Sequence, residues 1–334
     1  MKKKHILPAA FGAAVVAAAL AAVLLIAADS AYRDIGVGLL SVAAAAFVAD
    51  FLILMALKRR TVPAGIVKFW ALLLMNCLLF VPAGVYWLGP VAIFHPNADA
   101  AAEQVLADTS RVSYVQSDDK TLCGWRYACG KSNAPVILCF YGNGETGSRK
   151  MVDFLDYLRQ GYFGGFDIAV FDYPGYGRAP GRPTEAGVKE MALAAYDLVR
   201  QDHDTVCVFG YSIGTGAANY AAANRDAAAL ALMAPYADGY DLYNNLIPVF
   251  HNAFTRAMVS FKMESREFAR KVKATPLILA SPNDATVPFE SSRALSECYA
   301  DCVFRPVDVP DHAGFWTSAE CLRAASDYFR EAVI

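Results

Sequence analysis

Three long apolar stretches open the chain, and short apolar runs follow at regular intervals. Residues 6–28 and 69–88 carry no charged side chain, and residues 35–57 carry only Asp50. Each stretch reaches the roughly 20 apolar residues that cross a bilayer as a helix. The pattern predicts three transmembrane helices, at about 6–28, 35–57 and 67–88, with Pro82 and Gly84 interrupting the third. Lys2, Lys3 and Lys4 precede the first stretch, as in a signal peptide. Its apolar run exceeds the roughly 7–15 residues of such a signal, and a second stretch follows almost at once. Asp50 falls at membrane depth, where a carboxylate is costly and is by default a functional candidate. Its structural reading is a place in the membrane interface or a pairing with Asn76 inside a three-helix bundle.

Beyond a linker over 91–104, the period changes. Residues 111–115 and 122–129 read as strands, and Ser117-Asp118-Asp119-Lys120 between them marks a hairpin. Further strands are predicted at 135–140, 166–171, 206–209, 228–233, 277–280 and 303–307. Several are continuous apolar runs, as expected of parallel strands buried on both faces. Helices are predicted at 98–106, 151–159, 183–200 with Thr184 as N-cap, 215–223 and 318–332. Strands alternating with helices imply a mostly parallel sheet flanked by helices. Residues 105–334 suit one such α/β domain. The stretch 236–274 is too long for a simple crossover and rich in aromatic residues. It is predicted to form a small helical cap.

Composition adds the membrane setting. Hydrophobic residues make up 56 % of the chain, with the excess in the first ninety positions. A net charge of −2 gives no sign of a nucleic-acid partner. Lys2, Lys3, Lys4, Lys58, Arg59, Arg60 and Lys68 flank the spans on one side, and only Arg33 lies between the first two. The basic side faces the cytoplasm. Three crossings then make this an integral protein of the cell membrane with its α/β domain outside the cytoplasm. Disulfides form in that compartment. Cys298 with Cys302 is the plausible local pair, because the extended segment holding Cys123 and Cys129 keeps them apart. Cys139 and Cys207 fall in buried strands, as small hydrophobes. No cysteine or histidine spacing suits a metal, and no cofactor is implied.

The chemistry gathers around Val206-Cys207-Val208-Phe209-Gly210-Tyr211-Ser212-Ile213-Gly214. Strand, G-x-S-x-G and helix in that order make a nucleophile elbow. A capping serine in a glycine-rich turn has the same local composition. A serine nucleophile needs a base, and the base needs an orienting acid. After Ser212 the histidines are His251, in the cap stretch, and His312, after the last strand. His312 is the candidate base. Asp284 leaves the strand at 277–280 and is the candidate acid, with Asp308 and Asp311 as competitors. An oxyanion needs fixed N–H donors. The Ile213 backbone N–H is one candidate. The Asn143 N–H, on the loop Tyr141-Gly142-Asn143-Gly144-Glu145, is the other. Tyr141, Gly142, Gly144, Tyr211 and Tyr236 are candidate substrate-binding residues.

With Asp172-Tyr173-Pro174-Gly175-Tyr176-Gly177, Gly181-Arg182-Pro183-Thr184-Glu185 and Val287-Pro288, these motifs stand in the order found in α/β-hydrolases. Over roughly 105–334 the chain resembles the serine-aminopeptidase-like and membrane-tethered α/β-hydrolase domain branch, which includes protein depalmitoylases and monoacylglycerol lipases. The resemblance implies the α/β-hydrolase fold and a Ser-His-Asp triad. It does not reach the apolar stretches. Family members usually carry His-Gly where this chain has Tyr141-Gly142, and a basic residue where it has Pro174. The expected activity is a membrane-anchored serine hydrolase acting on an acyl ester or thioester, with a small acyl substrate or lipid as partner. A peptidase or amidase of the same fold, or a catalytically silent ligand-binding member, are the alternatives.

Overall fold

The structure, a computed structural model, describes residues 6–28, 32–58, 64–249 and 251–333. Lys2, Lys3, Lys4, Arg59 and Arg60, which bear on the orientation, lie outside the described residues. The apolar stretches form α1 (Ile6–Ala28), α2 (Arg33–Lys58) and α3 (Ala64–Ile93). The segments Arg33–Leu57 and Val67–Ile93 are long and apolar enough to cross a membrane. The third helix is not interrupted as expected: it runs through Pro82 and Pro90. Each proline removes one N–H from the ladder, and apolar surroundings favour keeping the remaining bonds inside the helix.

The rest of the chain runs α4 (Ala100–Ala107), β1 (Val112–Gln116), β2 (Cys123–Tyr127), β3 (Val136–Phe140), α5 (Gly147–Arg159), β4 (Asp167–Phe171), α6 (Glu185–Arg200), β5 (Val206–Tyr211), α7 (Gly214–Asn224) and β6 (Ala229–Met233). Then come α8 (Gly239–Leu246), α9 (Ala253–Arg256), α10 (Ser265–Ala269), β7 (Leu277–Ala280), α11 (Phe289–Ser296), β8 (Val303–Pro306), α12 (Gly314–Thr317) and α13 (Ala319–Ala332).

These elements divide into two compact units. One is Met1–Ala92 with Ala253–Ser260, and the other is Ile93–Asn252 with Phe261–Ile334. In the first, Val15, Ala43 and Ala46 form a core with Ala19, Leu79 and Phe80. Small residues let the helices approach: a Cβ on Gly36 would stand 2.7 Å from the Ala22 carbonyl oxygen. Asn76 Nδ2 donates to Asp50 Oδ1 at 2.9 Å and to the Leu72 carbonyl at 2.9 Å. The carboxylate in the apolar stretch therefore has a hydrogen-bonding partner on the next helix.

The second unit is built on an eight-stranded sheet in the order β1-β2-β4-β3-β5-β6-β7-β8. The pairs β1–β2 and β2–β4 are antiparallel, and the rest are parallel. Every residue of β3, β5, β6 and β7 is buried, which explains their unbroken apolar sequences. This is the mostly parallel, helix-flanked sheet that the alternation of elements implies. Helix α5 begins at Gly147, ahead of the apolar periodicity, because Thr146 Oγ1 caps it by accepting the Arg149 N–H at 3.1 Å. The closing helix starts after its cap Ser318, with the single turn α12 in front of it. All eight cysteines are free. The local Cys298–Cys302 bridge is not formed, and the Cys298 thiol instead donates to the Ala294 carbonyl within the helical turn.

One side of the sheet is sealed by an aromatic cluster centred on Phe209 of β5. Its ring lies 5.2 Å from Trp316, 5.6 Å from Phe329, 6.0 Å from Phe163 and 6.5 Å from Phe154. Such rings dominate core energetics. Phe209→Ala is expected to lower stability by about 3–5 kcal/mol, read as an earlier denaturant midpoint of the purified protein in detergent.

Candidate active site

Strand β5 runs through the middle of the sheet and ends at Tyr211. Ser212 follows with φ +53°, a left-handed conformation that a serine adopts only when its surroundings hold it there. Those surroundings are tight. A Cβ at Gly214 would stand 2.3 Å from the Phe140 carbonyl oxygen, and one at Gly210 2.7 Å from Ala218 Cβ. The Ser212 N–H donates to the Met233 carbonyl at 3.0 Å, and its carbonyl accepts from Thr215 Oγ1 at 2.6 Å. Tyr236 donates to the Ile213 carbonyl at 3.2 Å.

Loops at the same edge of the sheet bring the candidate base and the candidate acid to Ser212. His312 Nε2 lies 2.7 Å from Ser212 Oγ, and its Nδ1 lies 2.7 Å from Asp284 Oδ2. Asp284 is buried, and its other oxygen accepts the Thr286 and Val287 N–H groups at 2.8 and 2.9 Å. A carboxylate only accepts, so Nδ1 carries the proton and Nε2 is left to accept from the serine hydroxyl. The competitors are elsewhere. His251 is exposed. Asp308 accepts from Asn283 Nδ2, and Asp311 from the Gly314 N–H. Both shape the loop that carries His312.

The register Phe140↔Gly210 sets the ends of β3 and β5 side by side, so the loop 141–145 leaves next to the elbow. Neither the Asn143 nor the Ile213 backbone N–H donates to a protein group among the described residues. Both remain available to a ligand. Gly142 is fixed instead: its N–H donates to Glu145 Oε2 at 3.0 Å. Glu145 pairs at 2.9 Å with the fully buried Lys150, which also meets Asp153 at 3.0 Å and lies over the Trp316 ring at 4.1 Å. The Gly144 carbonyl accepts from Asn97 Nδ2 at 3.2 Å.

The three tyrosines expected to bind substrate have other contacts. Tyr141 is fully buried and donates to Asp172 Oδ1 at 3.0 Å, while its carbonyl accepts from Tyr173. Tyr236 is fully buried beneath the elbow. Tyr211 donates to the His312 carbonyl at 2.7 Å, and its ring stacks on the imidazole at 5.1 Å. Burial pushes all three phenols up, so they stay neutral donors. Each of the three is tied by these bonds to the elements around Ser212. Burial also raises the Asp172 carboxyl, against the opposing pull of the Gly147 N–H and the Tyr141 hydroxyl. Lys150 and Asn97 are site residues that sequence reasoning missed. Lys150 stands just ahead of the apolar spacing of α5, and nothing local marked either residue. Among the described residues no group of three His, Cys, Asp or Glu side chains is arranged to hold a metal.

No family model matches the chain. An uncharacterized protein of Mycobacterium tuberculosis, Rv2307c, is 30 % identical over 259 residues, covering 74 % of this chain and 86 % of that protein. The lysophosphatidylserine lipase ABHD12 of Rattus norvegicus is 27 % identical over 219 residues, 54 % of each chain, so the match spans about half of that relative. Among solved structures, the Pyrococcus furiosus esterase Pf2001 superposes with a TM-score of 0.57 at 12 % identity, over 72 % of this chain and 97 % of that one. Sheet order, elbow and relatives agree: the chain belongs to the α/β-hydrolase superfamily, with ABHD12 among its relatives.

Proposed function

We infer that this protein is a membrane-anchored serine hydrolase that cleaves an acyl ester or thioester. The observation that carries the reading is the continuous hydrogen-bonded chain from Ser212 through His312 to Asp284, ending on a serine held at positive φ. Ser212 Oγ attacks the acyl carbonyl as His312 Nε2 takes its proton. Asp284 holds the imidazole in that tautomer and stabilises the imidazolium that forms. The Asn143 and Ile213 N–H groups bind the oxyanion of the tetrahedral intermediate. Collapse expels the alcohol or thiol, which leaves with the proton from His312. Water then attacks the acyl-enzyme with His312 as base, and the carboxylic acid departs.

Location and chemistry favour an acyl chain over a peptide. Two helices have the length and apolarity of membrane spans. Ile247, Val249 and Phe254 of the cap stretch expose apolar side chains, which suit contact with lipid. A relative at 27 % identity is named a lysophosphatidylserine lipase. The lysine and arginine distribution orients the hydrolase unit away from the cytoplasm.

A fluorophosphonate probe applied to membranes is expected to label the wild type and not Ser212→Ala; equal labelling of both would refute the assignment. Asp284→Asn favours the wrong histidine tautomer and is expected to lower kcat on a p-nitrophenyl ester by about 10⁴. Tyr141→Phe removes a buried donor to Asp172, and is expected to reduce stability by about 1–3 kcal/mol while leaving KM unchanged. A rise in KM without a loss of stability would make Tyr141 a substrate contact instead.

A further inference from the structure

The Asn143 side chain uses its whole hydrogen-bonding capacity. Its Oδ1 accepts the His95 N–H at 2.9 Å and the Tyr176 hydroxyl at 2.7 Å. Its Nδ2 contacts the Ile93 carbonyl at 2.5 Å and His95 Nδ1 at 3.2 Å. An amide has two acceptor sites and two donors, and all four are occupied. Two of these four contacts go to His95, in the short segment that follows α3, and a third goes to Ile93 at the end of α3 itself. The segment is itself fastened. The His95 N–H also reaches the Tyr176 hydroxyl at 3.0 Å, the Gly177 N–H donates to the Asn97 carbonyl at 2.8 Å, and Asn97 Nδ2 reaches the Gly144 carbonyl. Phe94 is buried, with its ring 4.9 Å from Phe261 and 6.4 Å from Tyr176.

Ile93 is the last residue of α3. The final carbonyls of a helix have no partner within it and must find one elsewhere. Here the Ile93 carbonyl finds the side chain of the residue whose backbone N–H faces the oxyanion in the reading above. We propose that residues 93–97 form a strap that positions the oxyanion loop, making the end of α3 part of the catalytic scaffold as well as a connection to the apolar helices. The proposal rests on the serine-hydrolase reading for its catalytic consequence. An oxyanion donor works by being preorganised, so loosening the loop weakens transition-state binding more than substrate binding. Tyr176 and Asn97 are positioning residues in this scheme.

The test uses the full chain in detergent, with Tyr176→Phe, Asn143→Ala, their double variant and Asn97→Ala. Two quantities are read: hydrogen exchange of the backbone over 141–146, and kcat and KM on p-nitrophenyl butyrate. Faster exchange over 141–146 is expected in each variant, with the rest of the sheet unchanged. Asn143→Ala is expected to lose about 10–100-fold in kcat with KM nearly constant. The double variant should be no worse than Asn143→Ala, because both substitutions break one network. Unchanged exchange in the loop overturns the strap. So does a double variant whose kcat losses multiply, or a loss carried by KM alone. Ser212→Ala serves as the control for the reading beneath. If wild type and Ser212→Ala turn over ester equally slowly, the hydrolase reading fails, and the exchange data still judge the strap.

Discussion

Ser212 sits in a backbone conformation that costs roughly 1–2 kcal/mol for a residue with a side chain, and the centre of the hydrolase unit is arranged around that strain. The strand before it is buried at every position, so it cannot shift. The helix after it begins at Gly214, pressed against the carbonyls of Phe140 and Tyr141. The serine's own N–H and carbonyl are tied to Met233 and Thr215. Relaxing the turn would break these bonds and lift α7 off the sheet. The fold therefore holds the hydroxyl at the edge where the loops carrying His312 and Asp284 meet it. Close packing makes such strain persist, because neighbouring groups over-determine the conformation.

Polar groups are buried around this point, and each needs a partner to be tolerated there. Lys150 is the extreme case, fully enclosed between Glu145, Asp153 and the face of Trp316. Replacing a buried ion pair by apolar residues is often neutral for stability, so the gain here lies in geometry. Glu145 holds the Gly142 N–H and brings a negative charge near the place where an oxyanion would form. The ammonium group of Lys150 offsets that charge. The clamp on the loop thereby opposes the chemistry less than a lone carboxylate would.

The sequence made the strands, and the meeting of Ser212, Asp284 and His312, legible for local reasons. Buried parallel strands are continuous apolar runs, and these three residues each follow such a run at the same sheet edge. The onset of α5 was missed because its first turn, Gly147 to Lys150, lies ahead of the apolar spacing and depends on the Thr146 cap. The contacts of the tyrosines were hidden for a different reason. A tyrosine beside a glycine-rich motif has the same local signature whatever its hydroxyl reaches. The bonds from Tyr141 to Asp172 and from Tyr211 to the His312 carbonyl span long stretches of sequence. The contact of Asn143 with Ile93 is equally distant in sequence, and neither residue announces it.

One departure from the family's usual residues, Tyr141, becomes intelligible through those long-range bonds. Tyr141 stands where a histidine is common, and its hydroxyl reaches down to Asp172. Asp172 in turn accepts the Gly147 N–H at the start of α5. Tyr173 returns a bond to the Tyr141 carbonyl, and Tyr176 reaches Asn143. The three rings pack together, with centroids 4.7, 5.6 and 6.3 Å apart. The segment Asp172 to Gly177 thus underlies the whole 141–145 loop, gripping it at Tyr141 and again at Asn143. Its close fit leaves no room for change: a Cβ on Gly177 would stand 2.1 Å from Asp172 Oδ2. A motif that contributes no reacting atom is then constrained as tightly as the elbow itself, because the position of a backbone N–H depends on every residue that fixes the loop carrying it.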